Sequence, residues 1–410
     1  MFRRFWKSDS GNFGVITAIV TLPLLAGVAG VVDYTTARNK TGQLQNSLDN
    51  AALAIATGYY YGMSDDELRQ IGQDIFEANM DGISSGAKAV EYADELPVDL
   101  SALASASGDE IFITTKSGIV HQGIIGSLDW PVDRRSVVRI KKGPPACVLA
   151  LDAHADSSVK IQGATDISLQ GCVIAANSNS ATAVDRGGSA NLSAQCINTV
   201  GKTSGLGSSS NVKLDCPAPM ENQYPSFDPL VGVLPPSYTG CQNVPGGKTK
   251  TLSPGTFCDK TISGDVTLEP GNYILRGGRI NLGGNGSLKG TGVTIFLMED
   301  AEFSVNGNEV VQLTPPLSGP YAGITIYQPN SNTNTITING TSGSFVSGFV
   351  YAPGAHVFYA GNSATSTESA CLRLVGKTIE MNGNSDLKSD CTAELGGRSM
   401  FASRYMSIVR

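Results

Sequence analysis

The feature that most constrains this chain is an apolar run near its start. Val15 to Val32, VITAIVTLPLLAGVAGVV, contains no ionisable side chain. At about 1.5 Å per residue a helix of that length covers about 27 Å, close to the hydrocarbon thickness of a bilayer. A core helix can also be apolar all round, but this run lies between Arg3, Arg4 and Lys7 on one side and Asp33 on the other. Those flanks favour a transmembrane helix over 15–34. The basic residues before it outweigh Arg38 and Lys40 after it, which places residues 1–14 in the cytoplasm and everything after Tyr34 outside it. A cleaved signal peptide is the competing reading, with Leu22 to Leu25 as a short apolar core and Gly27, Ala29 and Gly30 as small residues for cleavage.

The helical pattern continues beyond the run. Leu44, Leu48, Ala51, Ala52 and Ile55 recur at three- and four-residue spacing, with Gln43, Gln45, Asn46, Asp49 and Asn50 between them. One helix is expected from Val15 to about Thr57, passing through Pro23, which removes a backbone hydrogen bond without ending it. Its second half, within 35–63, presents an apolar stripe to a partner or to the next domain, so Leu44, Leu48 and Ile55 are the packing residues.

The segment Gly11 to Ala56 resembles the N-terminal region of the TadG branch of the TadE/TadG family, associated with assembly of Flp (Tad-type) pili in bacteria. The matching features are Gly11-Asn12 before the run, Leu22-Pro23 within it, Asp33-Tyr34 at its close, and the signature from Leu44 to Leu53, LQNSLDNAAL. The resemblance implies an inner-membrane-anchored or pilin-like component of a pilus machine. Two family features are missing. A prepilin-type Glu five residues after the glycine is replaced by Ile16 after Gly11 and by Ile19 after Gly14. The metal-binding D-x-S-x-S of a von Willebrand A domain is absent where Asp152-Ala153-His154-Ala155-Asp156 follows an apolar strand.

A second helix is expected from Ser64, with Glu67 completing a capping box, Leu68, Ile71 and Ile75 on one face, and Asp81-Gly82 as a stop. β-rich pieces follow at Ile111–Thr114 and Val137–Ile140. Residues 64–146 therefore read as a small α+β domain. Its basic run, Arg134, Arg135, Arg139, Lys141 and Lys142, reads as a solvated strand edge guarded by charge, with anionic lipid or an acidic partner as the sharper alternative.

All eight cysteines stand at or beyond Cys147. An even number in an exported region points to disulfides in an oxidising compartment. Pairing by neighbourhood gives Cys147 with Cys172, Cys196 with Cys216, Cys241 with Cys258 and Cys371 with Cys391; Cys172 with Cys196 is a rival. No C-x-x-C spacing occurs, and His121, His154 and His356 are scattered, which disfavours zinc.

Over 147–410 short apolar segments alternate with Gly, Asn and Ser. Gly163 to Cys172 is echoed by Gly188 to Cys196, and Pro254-Gly255-Thr256-Phe257 by Pro270-Gly271-Asn272-Tyr273. Strand pieces return at Val293–Leu297, Ile324–Tyr327, Phe349–Tyr351 and Leu372–Val375. A loose period in the twenties fits a parallel β-helix, whose coils bury their inward side chains by stacking; an antiparallel sandwich is the alternative. The proline-rich interval Cys216 to Gly247 separates two stacks or leaves one as a long excursion. The basic stretch Arg398 to Arg410 reads as a terminal cap on the stack, with a last strand through Met406 to Val409, and a docking tail is the alternative. The fold class is thus mainly β, with an N-terminal transmembrane helix continuing into a periplasmic helix, a small α+β region and a parallel β-helix-like repeat domain.

A net charge of −7 with 16% charged residues argues against a nucleic-acid partner. The densest carboxylates, Glu299, Asp300 and Glu302 with Glu309 farther on, would be needed for a carbohydrate-active site, but neighbouring strand residues face opposite ways. There is no G-x-S-x-G and no phosphate loop. The expectation is a non-enzymatic, membrane-anchored pilus component with no catalytic, metal or cofactor residues. Its partners would be the inner membrane, other pilus-assembly or minor-pilin subunits, and surface polysaccharide. A carbohydrate-active β-helix enzyme and a secreted carbohydrate-binding adhesin are the alternatives.

Overall fold

The computed structural model describes residues 12–60, 63, 65–80, 110–122, 129–163, 166–207, 211–341, 343–362, 371–388 and 395–409. The expected cap at Ser64, the stop at Asp81-Gly82, and Cys391 lie outside these residues. The chain divides into two compact units, one of Met1–Lys141 with Tyr405–Arg410 and one of Lys142–Arg404.

In the first unit, helix α1 runs unbroken over Asn12–Tyr60, through Pro23. Helix α2 covers Asp65–Met80, its polar and apolar residues separated on two faces. The apolar stripe of α1 is the core of this unit. Ala52, Ile55 and Ala56 pack with Leu68, Ile113, Val138 and Ile140, and Leu44, Leu48 and Ala51 pack with Phe76, Met80 and Ile119. The strands Glu110–Gln122 and Asp129–Lys142 form an antiparallel ribbon. Alternation sends Ile113, Thr115 and Ile119 inward and leaves Lys116 and Val120 outside. The last strand, Arg404–Val409, joins this sheet in the order Glu110–Gln122, Asp129–Lys142, Arg404–Val409, with Met406 and Ile408 against its core. It does not cap the parallel stack. The strand carrying the basic run is the middle one of this sheet, and the six residues of Arg404–Val409 can pair with only part of its fourteen.

The second unit is built of parallel strands arriving in triplets. Thr249–Leu252, Gly255–Cys258 and Thr261–Ile262 each pair with a counterpart one triplet later, Asp265–Leu268, Gly271–Arg276 and Arg279–Ile280. The scheme repeats through Ser287–Gly290, Val293–Met298 and Glu302–Val305, and through Val310–Leu313, Ile324–Tyr327 and Ile336–Gly340. Loops of different length between strands stretch the spacing from 16 residues at Thr249↔Asp265 to 33 at Gln312↔Phe345. Gly348–Asn362 follows and pairs with Leu372–Lys388. There the spatial order departs from chain order. Leu372–Lys388 pairs onward with the unit's first strands, Ala146–Ala150, Val159–Gln162 and Asp166–Ala176, which continue to Asn191–Thr199 and Val212–Leu214. The stack is continuous, and the chain enters it in the middle.

Inward side chains from every layer form one apolar core, from Val148 and Ile161 through Leu275 and Leu297 to Val350 and Leu374. The first echoed phrase is a true register: Asp166, Ile167, Ser168 and Leu169 lie beside Asn191, Leu192, Ser193 and Ala194. The second is offset by two, because Gly255 pairs with Tyr273 and not with Gly271. Gly271 instead lies under the Pro254 ring, where a Cβ would collide.

A chain entering mid-stack must return from one end to the other, and the proline-rich interval does this. Ser226 exchanges hydrogen bonds with the Asn177 amide at 2.7 Å in both directions. Tyr351 donates to Asp228 at 2.7 Å, Tyr327 to the Val233 carbonyl at 2.8 Å, and Tyr321 to the Leu234 carbonyl at 3.2 Å. The Arg276 guanidinium lies 5.0 Å from the centre of the Tyr238 ring. Reading 226 to 238 along this strap steps along the stack layer by layer. Disulfides fix both ends: Cys196–Cys216 where the strap leaves and Cys241–Cys258 where it arrives. With Cys147–Cys172, all three neighbourhood pairs whose cysteines are both among the described residues form, and the rival Cys172–Cys196 pair does not; the fourth involves Cys391, outside those residues.

Candidate functional site

The candidate site of the first unit is α1. From Ile16 to Val32 its large side chains are exposed, Leu22 at 72% and Val31 at 63%. This part is long and apolar enough to be a candidate membrane span by length and composition. Burial begins at Asp33, 5% exposed, and continues through half-buried Thr36, Ala37, Lys40 and Thr41 to Leu44, Leu48 and Ile55 at 0%. Thus the three packing residues are core of their own unit, held by α2 and the sheet. Gln45 ties the helix to the sheet, donating to Asp49 Oδ1 at 2.8 Å and to the Arg135 carbonyl at 3.2 Å.

The second unit carries a groove of about 340 Å³ lined by Leu151, Asp152, Asn330, Thr333, Pro353, Gly354 and Lys377. Its walls are two long corner loops, after Tyr327 and after Ala150, and its floor is the short corners between them at Pro353-Gly354 and Lys377. The first wall is held rigid from inside. Buried Asn332 donates to the carbonyls of Leu297 at 3.1 Å and Ala301 at 2.9 Å, and Gln328 donates to those of Asn332 and Asn334. Gly354 is required in the floor, since a Cβ there would strike the Asn330 backbone.

In the second wall Asp152 Oδ1 accepts from the N–H groups of His154 at 2.8 Å and Ala155 at 2.7 Å. Lys377 Nζ stands 3.8 Å from Asp152 Oδ2. Burial raises the affinity of this carboxyl for its proton, but the two N–H donors and Lys377 together outweigh it, so Asp152 titrates below its ordinary range. The groove therefore offers a neutralised charge pair with amide and hydroxyl groups, suited to a polar ligand. Sequence reasoning noticed Asp152 only as a failed metal motif. Lys377 carried no signal, because its approach depends on layers that are distant in the chain.

The carboxylates considered for catalysis are not brought together. Glu299 takes the Arg276 guanidinium at 2.6 Å and Glu302 lies 4.0 Å from Arg279, each a pair along the outside of the stack. Glu309 is buried and accepts from the Asn306 N–H at 2.7 Å within its own turn.

No curated protein and no solved structure matches the chain. Residues 11–57, comprising the exposed apolar part of α1 and its buried stripe, match the TadE/G-like Flp pilus-assembly family.

Proposed function

We propose that this chain is a non-enzymatic, single-pass component of a Tad/Flp-type pilus system, anchored in the inner membrane by residues 15–34 with its bulk in the periplasm. It acts in pilus assembly or in surface adhesion. One observation carries this reading: the family match coincides with a single helix whose first part exposes large apolar side chains and no ionisable one over Ile16–Val32 and whose second part is the core of a folded unit. Such a helix transmits position rigidly from a bilayer to the domain above it.

We read the parallel ladders as the faces of one β-helix, supported by triplet pairing and a continuous inner core. Three disulfides and a tied strap make it a stiff platform suited to an oxidising compartment. Its mechanism is mechanical or adhesive. The partners are the inner membrane, other pilus-assembly or minor-pilin subunits and, at the Asp152–Lys377 groove, surface polysaccharide.

The test is fractionation with N-terminal sequencing, followed by piliation and attachment assays in a deletion strain. An intact N-terminus in the inner membrane and loss of pili or attachment are expected. A mature protein beginning near Val31, or normal piliation and attachment without the chain, would overturn the reading. Retained piliation with lost attachment in a D152A/K377A strain would select adhesion over assembly.

A further inference from the structure

The floor of the groove does not stop at the corner. Pro353-Gly354 leads into the strand half carrying Val357 and Tyr359, and Lys377 into the half carrying Ile379 and Met381, all four of them core residues. Alternation therefore turns His356, Phe358 and Ala360 outward in one layer and Thr378, Glu380 and Asn382 outward in the next, each beside its counterpart in register. All six are half-buried. Lys377 to Asn382 covers about 17 Å at about 3.3 Å per residue, so the groove runs on into a track along the outside of the stack.

Polar groups held in place line this track. His356 Nδ1 and Thr378 Oγ1 are hydrogen-bonded at 2.8 Å. Burial lowers the affinity of His356 for a proton; Glu380 opposes this and Lys160 adds to it, which leaves the ring mostly neutral at pH 7. A neutral imidazole has one nitrogen that donates and one that accepts. Lys160, beside Glu380 in the following layer, stands 3.6 Å from its carboxylate. Phe358 is the aromatic member of a column that otherwise holds hydroxyl and charged side chains, Ser304, Thr337, Glu380, Lys160 and Asp185. Its ring is half-buried among polar neighbours and so keeps a face to offer a ligand.

Three observations select the occupant. Both floor strands are paired on either side, so no peptide can join them as a further strand. Each cation has its acid, Lys377 with Asp152 and Lys160 with Glu380, and Asp185 flanks Lys160 in register. The track is thus slightly acidic and unsuited to phosphate or carboxylate. What remains is one apolar ring among hydroxyl, amide and imidazole groups, which matches a sugar with its apolar face and hydroxyl rim.

We propose that the groove and the track together bind a neutral polysaccharide lying along the strands, with one sugar stacked on Phe358 and its hydroxyls bonded to Glu380, Lys160 and His356. The proposal rests on the reading of the Asp152–Lys377 groove as a polysaccharide site. It adds the charge class of the chain and the residue that stacks on it.

The full chain in a sugar-free detergent is titrated with cellohexaose, maltohexaose and mannohexaose as neutral probes, and with oligomers of alginate and heparin as anionic ones. At least one neutral probe should bind, and the anionic probes should bind about tenfold more weakly or not at all. Phe358→Leu should weaken the neutral probe about tenfold by removing the stacking face, whereas Phe358→Tyr should keep it. Melting temperatures show whether each variant is folded. Glu380→Gln, which keeps the side-chain shape, should also weaken binding and gives the same readout if Phe358→Leu does not fold. Binding lost in the Asp152→Ala, Lys377→Ala double variant but unchanged in both Phe358→Leu and Glu380→Gln would overturn the track and leave the groove reading standing. Preference for the anionic probes would overturn the neutral class while keeping a polysaccharide site. No binding of any probe would overturn both readings.

Discussion

Tyr351 donates its hydroxyl to Asp228 Oδ2 at 2.7 Å, joining a stack strand to the strap across 123 positions of sequence. Burial is the main influence on Asp228 and raises its carboxyl above 3.8; Tyr351 and the Leu230 N–H pull the other way and only partly offset it. For an acid whose folded value is raised, the favourable contribution is complete below the unfolded value and is lost as pH rises through the folded one. Stability of the second unit should therefore fall as pH rises from about 4 toward 7, and Asp228→Asn should remove that slope. Tyr351→Phe leaves a buried acceptor without its donor and should cost about 1–3 kcal/mol. Chemical denaturation across this pH range checks both; an unchanged slope in Asp228→Asn would assign the dependence elsewhere.

The strap is fixed at its two ends by Cys196–Cys216 and Cys241–Cys258, with sequence separations of 20 and 17. Replacing either pair by serines should cost about 2–4 kcal/mol. Because the strap between them is held mainly by single hydrogen bonds and Tyr224 and Leu234 are exposed, the first proteolytic cuts in either variant should fall within Cys216–Gly247. Mass mapping of early fragments reads this directly, and first cuts in the stack strands would contradict it.

Much of the architecture was legible because its periodicities are local. The three- and four-residue spacing of Leu44, Leu48 and Ile55 marked the second half of α1, and the phrase at Gly163 announced its neighbour at Gly188 in the register later found. What could not be read was order in space. Nothing local to Leu372–Lys388 says that it lies against Ala146–Ala150, or that Arg404–Val409 pairs beside Asp129–Lys142, since parallel and returning strands share the same alternation. The groove was hidden for the same reason: Asp152 and Lys377 are brought to 3.8 Å by that unannounced junction.

Helix α1 has two halves with opposite sensitivities. Leu48 is fully buried against Phe76 and Ile119, whereas Leu24 is 62% exposed. Leu48→Ala should destabilise the first unit by about 2–5 kcal/mol. Leu24→Ala should leave its unfolding within about 0.5 kcal/mol of the unsubstituted chain. Hydrogen exchange of the ribbon amides in detergent distinguishes them, and equal effects would mean that the exposed half also supports the fold.

Asn198 presents the opposite case, a buried side chain that costs stability. It is 2% exposed, and among the described residues neither its amide oxygen nor its nitrogen has a hydrogen-bond partner. Its neighbour in the preceding layer is Ala175, and the positions beyond are Leu149 and Val375. An apolar residue therefore already suits this column. A buried, unpaired amide costs about 1–3 kcal/mol on mutational scales. Asn198→Leu should recover part of that and raise the melting temperature of the second unit, while Asn198→Asp should lower it by burying a charge. A thermal melt of the three proteins gives the order; loss of stability in Asn198→Leu would reveal a partner for the amide, such as a bound water, in solution.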